Sequence, residues 1–283
     1  MSRLKEYLIE SSERDKGILR NISKECSEII EIYRDIEVYL YRGINNISGE
    51  MGFRIPRRDR LPKDTPIEIQ EKLDIEFKKK FGWKARSEGV FVTPRYNTAS
   101  TYGTGYPVVV FPVNGFKYLW SPVYKDLYAD EIQPYIGSES DLYGEWEAKF
   151  GVNRNGSWED ENHKKYNSIE DIPNYHKHEH PYDGIAEVAL VDDNGISLIN
   201  VTWIPRISWE EYNERKINDN IKSWVSTYKY TDLIKAIKRN ENEIMIKCEK
   251  YYWMTVVMVE KSGICSYKYK DSGLNPNQLS LEF

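Results

Sequence analysis

The sequence has few cysteines and no long apolar run, and these absences exclude several classes of protein. Its three cysteines, Cys26, Cys248 and Cys265, lack the Cys-x-x-Cys spacing of a thiolate metal site, and their odd number does not favour a disulfide framework. No stretch approaches the roughly 18 apolar residues of a membrane-spanning helix. Residues 1–20 carry charges throughout, without the apolar core of a signal peptide. We therefore expect a cytoplasmic protein with no membrane partner.

The chain also lacks an excess of positive charge. Its 40 Lys and Arg residues are outnumbered by 45 Asp and Glu, which gives a formal net charge of −5. Because non-specific binding of nucleic acid needs a basic surface, this balance argues against that class. Positive charge is nevertheless concentrated in two stretches, one with Arg54, Arg57, Arg58, Arg60 and Lys63, the other with Lys78, Lys79, Lys80, Lys84 and Arg86. Such clusters are usually solvated faces, although arginine also offers forked donors to phosphate.

Periodicity predicts a helical start followed by one mixed domain. Apolar residues recur at helical spacing over residues 3–34, with a break near Gly17, and this segment is expected to pack on the domain of residues 35–283. Residues 151–182 have no periodicity and predict an irregular insertion. His176, His178 and His180 alternate there, but a cluster without cysteines or a firm fourth ligand does not predict a metal site.

Turn signals predict two hairpins and two helices. One hairpin joins residues 108–113 to residues 116–120 through Asn114-Gly115, and the other is centred on residues 193–195. Thr65 and Pro66 have the character of a helix cap and a first helical residue. The predicted apolar faces of the two helices consist of Ile69, Leu73, Phe77 and Phe81 in the first, and of Leu233, Ile234 and Ile237 in the second.

Three predicted strands carry polar residues at their ends. The alternating block 35–43 ends in Arg42-Gly43, and the strand 89–93 ends in Thr93, before a short helix with Ala99 and Tyr102 on one face. The apolar strand 243–248 follows Glu241-Asn242-Glu243. Period-two geometry puts Glu241 and Glu243 on the same side of the backbone, so both acids can face one cleft.

Each of these residues also has a simpler structural interpretation. Glu residues in a turn are usually solvated, a Thr at a strand end reflects strand propensity, and a Tyr on a helix face is more often part of the core. An Arg at the end of an edge strand is equally ordinary. The order of the three strands along the chain, rather than any one residue, favours a site.

This series of strands resembles the ADP-ribosyltransferases. The resemblance implies an α+β fold with a split two-sheet core after an N-terminal helical segment. It implies Arg42 in the first-strand position, Thr93 in the position of the Ser/Thr motif, and Glu241 with Glu243 in the position of the catalytic carboxylates. Phe91-Val92-Thr93-Pro94 lacks the Ser-Thr-Ser triplet of arginine-specific toxins, and Ala99-x-x-Tyr102 is more similar to the polymerase-type branch. The acceptor therefore stays open.

Residues 57–126 and 243–252 resemble uncharacterised ADP-ribosyltransferase-like proteins of tailed bacteriophages. The runs that carry this resemblance are Arg58–Pro66, Phe81–Ser87, Phe111-Pro112-Val113 and Trp120-Ser121-Pro122. It implies action in the cytoplasm of an infected host. The partner would be a host macromolecule, expected to be a protein, with nucleic acid left open as an acceptor.

The resemblance implies an enzyme with NAD as its substrate. The catalytic residues would be Glu243, Glu241 and Arg42, and the residues that bind NAD would be Arg42, Gly43, Thr93 and Tyr102. In these roles Glu243 stabilises the oxocarbenium ion, Glu241 orients the acceptor, and Tyr102 stacks on nicotinamide. Further candidates for substrate contacts are Arg57, Arg58, Arg60, Arg86 and Ser87. Two alternatives remain, an NAD glycohydrolase and a non-catalytic protein that uses the fold to bind a host factor.

Overall fold

The computed structural model describes residues 13–60, 64–101, 106–151, 156–159, 163–168, 171, 185–192, 195–239 and 242–265; for 185–192, 195–200 and 204 it describes only the backbone. Within these ranges the chain is an α+β protein with three antiparallel sheets. It divides into two compact units, one formed by residues 1–130 and 221–283 and the other by residues 131–220. No helix in the described ranges is long and apolar enough to cross a membrane.

The elements alternate between helices and short strands. In chain order the helices are α1 (Glu13–Glu25), α2 (Ser27–Ile36), α3 (Ile67–Phe81), α4 (Ala85–Glu88), α5 (Tyr96–Thr101), α6 (Gln133–Gly137), α7 (Glu139–Phe150), α8 (Trp209–Ser226), α9 (Leu233–Arg239) and α10 (Val256–Ser262), with a π-helix at Tyr128–Ile132. The strands are β1 (Tyr41–Ile44), β2 (Met51–Arg54), β3 (Val90–Val92), β4 (Tyr106–Pro112), β5 (Lys117–Trp120), β6 (Gly156–Glu159), β7 (Lys165–Tyr166), β8 (Ile185–Asp192), β9 (Gly195–Pro205), β10 (Ile244–Lys247) and β11 (Tyr251–Met254).

The N-terminal prediction is right in type and wrong in its boundaries. Helix α1 continues through Gly17, and the break falls at Cys26. Helix α2 ends where Glu37 adopts a left-handed φ of 54° and donates its N–H to the carbonyl of Tyr33. The predicted strand 35–43 is therefore replaced by the end of a helix and the shorter β1, and Arg42 lies inside that strand instead of at its end.

The first unit contains two sheets, and the chain crosses between them four times, from β2 to β3, from β3 to β4, from β4 to β5 and from β10 to β11. Their strand orders are β1-β4-β11-β2 and β3-β10-β5. The predicted hairpin of residues 108–120 is wrong, because β4 pairs with β1 and β11 while β5 pairs with β10. The crossing from β10 to β11 runs in the opposite direction to the crossing from β4 to β5. As a result β10 pairs with β5, and β11 pairs with β4. The Asn114-Gly115 turn instead contacts the start of α2, where Glu28 donates its N–H to Asn114 Oδ1 at 3.1 Å.

The two faces of the first sheet have different surroundings. One face carries Phe111 and is covered by α2, whose Tyr33 ring meets the Phe111 ring edge-on at 5.7 Å between centroids. By strand register, Arg42 and Tyr251 lie on the opposite face, because their partners in β4 are four residues apart. The sheets meet at their edges, where Tyr41 and Thr93 exchange backbone hydrogen bonds of 2.7 and 2.9 Å.

Helix α3 has the apolar face that the sequence predicts, although Phe81 at its end is only half-buried. Ile69, Leu73 and Phe77 are buried. Pro66 occupies the N-cap position without a side-chain cap, so the prediction of Thr65 as the cap is wrong. In α9 the buried residues are Leu233, Ala236 and Ile237, whereas the predicted Ile234 is exposed.

The second unit has its own four-stranded sheet, of order β7-β6-β9-β8. The hairpin of β8 and β9 is confirmed, with Asp192 opposite Gly195. The prediction of an irregular insertion is wrong for β6 and β7, which pair within this sheet. Trp158 and Trp203 pack there with centroids 5.6 Å apart. His176, His178 and His180 lie outside the described residues, and within those residues no group of three metal-ligating side chains occurs.

Candidate active site

Glu243 is held immediately before β10. Its N–H donates to the carbonyl of Lys125 at 2.9 Å, and the preceding Asn242 is buried and donates its side-chain amide to the carbonyl of Ser121. Continuing the register that pairs Val92 with Ile244 places Glu243 opposite Thr93. The Glu243 side chain is only 11% exposed, and its buried Oε1 atom makes no hydrogen bond.

This environment perturbs the acidity of Glu243. Burial raises the pKa of the carboxyl to about 7, because a desolvated carboxylate is disfavoured. The guanidinium groups of Arg86 and Arg60 act in the opposite direction, and the carboxylates of Asp126 and Asp130 raise the pKa further. Near neutral pH the side chain is therefore present both as an acid and as a carboxylate, which is a range suited to proton transfer.

Arg86 is oriented by a buried polar network on α3. The Asp74 carboxylate accepts the N–H of Arg86 at 3.0 Å and the N–H of Ser87 at 3.3 Å, and it also accepts the Ser87 hydroxyl. Gln70 Oε1 accepts from Arg86 Nε at 3.1 Å. With these atoms held, Arg86 Nη1 lies 3.9 Å from Glu243 Oε1 and makes no hydrogen bond.

The ring of Phe91, in the centre of β3, contacts the guanidinium groups of Arg60 and Arg86. The central carbon of the Arg60 guanidinium lies 4.4 Å from the Phe91 ring centroid, and that of Arg86 lies 5.5 Å away. A buried Nη1 atom of Arg60 has no hydrogen bond. Burial lowers the pKa of Arg60, and the positive charges of Arg42 and Arg86 lower it further, which indicates that three cations surround this point.

Arg42 approaches the same phenylalanine from β1. Its Nη1 donates to the carbonyl oxygen of Phe91 at 2.9 Å. Burial lowers the pKa of Arg42, while electrostatic and hydrogen-bonding interactions with Tyr251 raise it. Phe91 therefore contacts one arginine through its backbone and two through its ring.

The other predicted site residues divide into two groups. Gly43 lies beside Arg42 in β1, opposite Pro107, and Thr93 is 3% exposed with its hydroxyl accepting the N–H of Arg95 at 3.2 Å. The hydroxyl of Thr93 thus supports the turn into α5. Glu241 and Tyr102 lie outside the described residues, so their roles stay predictions.

The further candidates for substrate contacts also separate by burial. Arg57 and Arg58 are exposed, and Ser87 binds Asp74. By contrast, the guanidinium groups of Arg60 and Arg86 both lie over the Phe91 ring of the site.

Sequence reasoning missed the residues that support the arginines. Gln70 and Asp74 are 5% and 4% exposed, as deeply buried as the apolar stripe of α3 beside them. Two polar residues four positions apart within a buried helix face were the available signal, because buried polar groups need specific partners. Tyr251 and Phe91 carried no such signal, since an aromatic residue in a strand is ordinary core.

The site combines charges of both signs with buried polar atoms that make no hydrogen bond. Arg86 and Arg60 act on the carboxylate of Glu243, Asp126 and Asp130 act on it with the opposite sign, and Arg42 acts on Arg60. Buried polar atoms without partners cost stability, so a cluster of them indicates groups arranged for a ligand. Guanidinium groups are suited to binding an anion, and a carboxylate can accept a hydrogen bond from a hydroxyl group.

No family model, curated protein or solved structure matches this chain. The fold and the site thus define an α+β protein with a buried carboxylate opposed by guanidinium groups.

Proposed function

We propose that this protein is a mono-ADP-ribosyltransferase, which cleaves NAD and transfers ADP-ribose to a macromolecular acceptor, first of all a host protein. The observation that carries the proposal is the buried carboxylate of Glu243, just before β10, opposite Thr93, which directly follows β3. Thr93 is bonded in turn to Tyr41, the neighbour of Arg42 on β1. The three elements that the sequence resemblance brings together are therefore consecutive neighbours in space, which supports a split two-sheet transferase core.

The chemistry fits a carboxylate in this position. In the reaction the bond between ribose C1′ and the nicotinamide nitrogen breaks, and its electron pair leaves with nicotinamide. A nucleophilic atom of the acceptor then bonds to C1′ and gives up its proton, which Glu241 accepts in this proposal. Ionised Glu243 stabilises the positive charge that develops on the ribose, by the preorganised electrostatics typical of such sites.

Arg42 contributes positioning as well as charge. Its hydrogen bond to the Phe91 carbonyl fixes one side of the guanidinium, and the Gly43 backbone next to it allows close approach by the nicotinamide amide. Glu241 acts on the acceptor in this proposal.

The decisive experiment measures two products in parallel. Purified protein is incubated with labelled NAD and host lysate, and free nicotinamide and labelled macromolecules are both quantified. Labelled protein together with nicotinamide supports the transferase. Nicotinamide without label would make the protein a glycohydrolase, and the absence of both products would refute NAD chemistry.

Two variants assign the carboxylates. Glu243→Gln should lower nicotinamide release by about 10²–10³-fold, because the amide keeps the shape and loses the charge. Glu241→Gln should suppress transfer and leave slow hydrolysis of NAD. The matched control is Glu249→Gln, at an exposed glutamate after β10, which should retain both activities.

A further inference from the structure

Helix α7 packs on the rest of the second unit along one stripe of side chains. Trp146 donates its ring N–H to the carbonyl of Ile207 at 2.9 Å, and the Phe150 ring lies 6.0 Å from the Tyr212 ring between centroids. Trp146 and Phe150 are four positions apart, so they lie on the same side of the helix. None of the 12 residues of α7, all of which the structure describes, is fully buried, so its other sides are open to solvent.

On one of these open sides an aromatic ring stands between two carboxylates. Tyr143 is 45% exposed, and its ring contacts the rings of Trp146 and Trp209 at 5.3 and 5.2 Å between centroids. Glu139 and Glu147 are exposed and lie one helical turn before and after Tyr143. We call Glu139, Tyr143 and Glu147 the outer stripe of α7.

The charge of the outer stripe is not compensated by the lysines of the same region. Lys149 and Lys216 both pair with Glu145, at 2.7 and 3.0 Å, and within the described residues Glu139 and Glu147 make no ion pair. Residues 131–220, which form the second unit, include 19 acidic and 8 basic residues, a formal charge of −11. The net charge of −5 for the whole chain therefore conceals a strongly acidic unit, which attracts cations.

Small residues leave room beside the outer stripe. Gly144 and Ala148 follow Tyr143 and Glu147 in the sequence, and both are exposed. An added Cβ at Gly144 would meet open space, so packing within the chain does not require glycine there. Glycine in a helix interior is less favourable than alanine, whereas it allows the close approach of another backbone.

The chemistry of the outer stripe selects one class of partner. Nucleic acid and anionic lipid headgroups would be repelled by the carboxylates. A second copy joined by the same stripe about a two-fold axis would bring like charges together. Lysine and arginine side chains, by contrast, pair with carboxylates and also stack on aromatic rings.

We propose that the outer stripe of α7 is a docking surface for a basic segment of a partner protein. Glu139 and Glu147 are about 12 Å apart along the axis, at about 1.5 Å per residue. The segment therefore presents two cationic side chains at this spacing, as residues two turns apart on a helix do, with the group between them against Tyr143. The identification of this partner with the acceptor of ADP-ribose rests on the proposed function. The docking itself does not.

Fluorescence anisotropy with two matched peptides tests the proposal. One labelled peptide is an alanine-based helix with arginine at every fourth position, and the other carries glutamate in place of arginine. We expect the full protein to bind the arginine peptide, with an affinity that falls as salt is added, and not to bind the glutamate peptide.

One set of variants removes the charges and the ring of the stripe. The double variant Glu139→Gln/Glu147→Gln should weaken binding of the arginine peptide by about tenfold and reduce its dependence on salt. Tyr143→Ser should weaken binding by about 2–10-fold, the range of a lost aromatic contact. Release of nicotinamide should be unchanged in both.

A second set tests the position of the peptide. Gly144→Arg adds bulk and a positive charge beside the stripe and should weaken binding by about tenfold or more. The matched control, Thr202→Arg, adds the same charge to an exposed position of β9. Thr202 lies on the opposite face of that strand from Trp203, whose ring N–H donates to the Phe150 carbonyl at 3.3 Å. The control should keep the wild-type affinity within about twofold.

The outcomes separate docking from the enzymatic proposal, because none of the binding measurements uses NAD. Equal binding of the two peptides, or wild-type affinity in a Gly144→Arg protein that is folded by circular dichroism, would overturn the docking surface. Tighter binding of a labelled single-stranded oligonucleotide than of the arginine peptide would also overturn it. So would self-association, measured by sedimentation velocity, that Gly144→Arg abolishes. Specific binding of the arginine peptide by a protein that never releases nicotinamide would support the docking surface and refute the proposed function.

Discussion

Replacing Glu243 by glutamine should stabilise the protein at alkaline pH while lowering the proposed nicotinamide release. The folded protein raises the pKa of this carboxyl from 4.5 to about 7. Each pKa unit corresponds to about 1.4 kcal/mol, so the ionised side chain costs the fold about 3 kcal/mol relative to its neutral form. Glutamine has the same shape and never acquires the charge.

The dependence on pH has a definite sign. Between about pH 4.5 and 7 the unfolded chain has already released this proton, whereas the folded protein still holds it. The contribution of Glu243 to the free energy of unfolding therefore falls as the pH rises through this window and is constant above it. The variant should match the wild type near pH 4.5 and exceed it by about 3 kcal/mol near pH 8.5.

Hydrogen exchange of the β10 amides is the suitable assay, because it reports on the unit that contains Glu243 when the two compact units unfold separately. Direct titration of the side-chain carboxyl by carbon NMR supplies the pKa itself. Glu249→Gln, at an exposed position, should show no such pH-dependent difference. A Glu243→Gln protein that is no more stable than the wild type near pH 8.5 would refute the argument from burial.

Three further predictions use other features of the structure. The rate of NAD cleavage should rise about tenfold per pH unit below pH 7 and level off above it, because the ionised Glu243 is the active form; a flat profile of nicotinamide release from pH 5 to 8 would contradict this. Asp74→Ala should lower the free energy of unfolding by about 3 kcal/mol, measured by urea denaturation, since it leaves two buried N–H groups of α4 without an acceptor. Gly52→Ala should lower the free energy of unfolding, measured by thermal denaturation, by about 1–3 kcal/mol, because the new Cβ would lie 2.8 Å from Trp253 Cζ2. Gly17 in α1 has open space at the Cβ position, so Gly17→Ala should raise the free energy of unfolding by about 1 kcal/mol.

The sequence predicted the local elements better than their pairing. The apolar face of α3 and the hairpin of β8 and β9 follow from periodicity and turn residues, which act over a few positions. The Asn114-Gly115 turn looked like a hairpin for the same reason, but a turn fixes only a local reversal. One partner of β4 is β11, about 140 residues later, and no local signal encodes that pairing.

The site shows the same limit. Arg42, Thr93 and Glu243 were singled out because polar residues stand out from an apolar pattern. Thr93 is hydrogen-bonded to Tyr41, the neighbour of Arg42, and the register of β10 places Glu243 opposite Thr93. Gln70 and Asp74 were not recognisable, because their burial is determined by α4, which folds back onto α3 to present Arg86. The role of a polar residue on a buried helix face can be assigned only when its hydrogen-bond partner is known.

The cost of this arrangement is the strongest argument that it serves a ligand. Buried ion pairs contribute little net stability, and apolar residues of similar volume often replace them without loss. Here the pair is not even closed, since Arg86 and Glu243 stay 3.9 Å apart while Gln70 and Asp74 hold the arginine in place. A binding site needs its charged groups held in one orientation, and the hydrogen bonds from Arg86 to Gln70 and Asp74 supply that orientation. Gln70 and Asp74 are therefore buried polar residues that stabilise one orientation of Arg86, and such an arrangement is typical of a functional site.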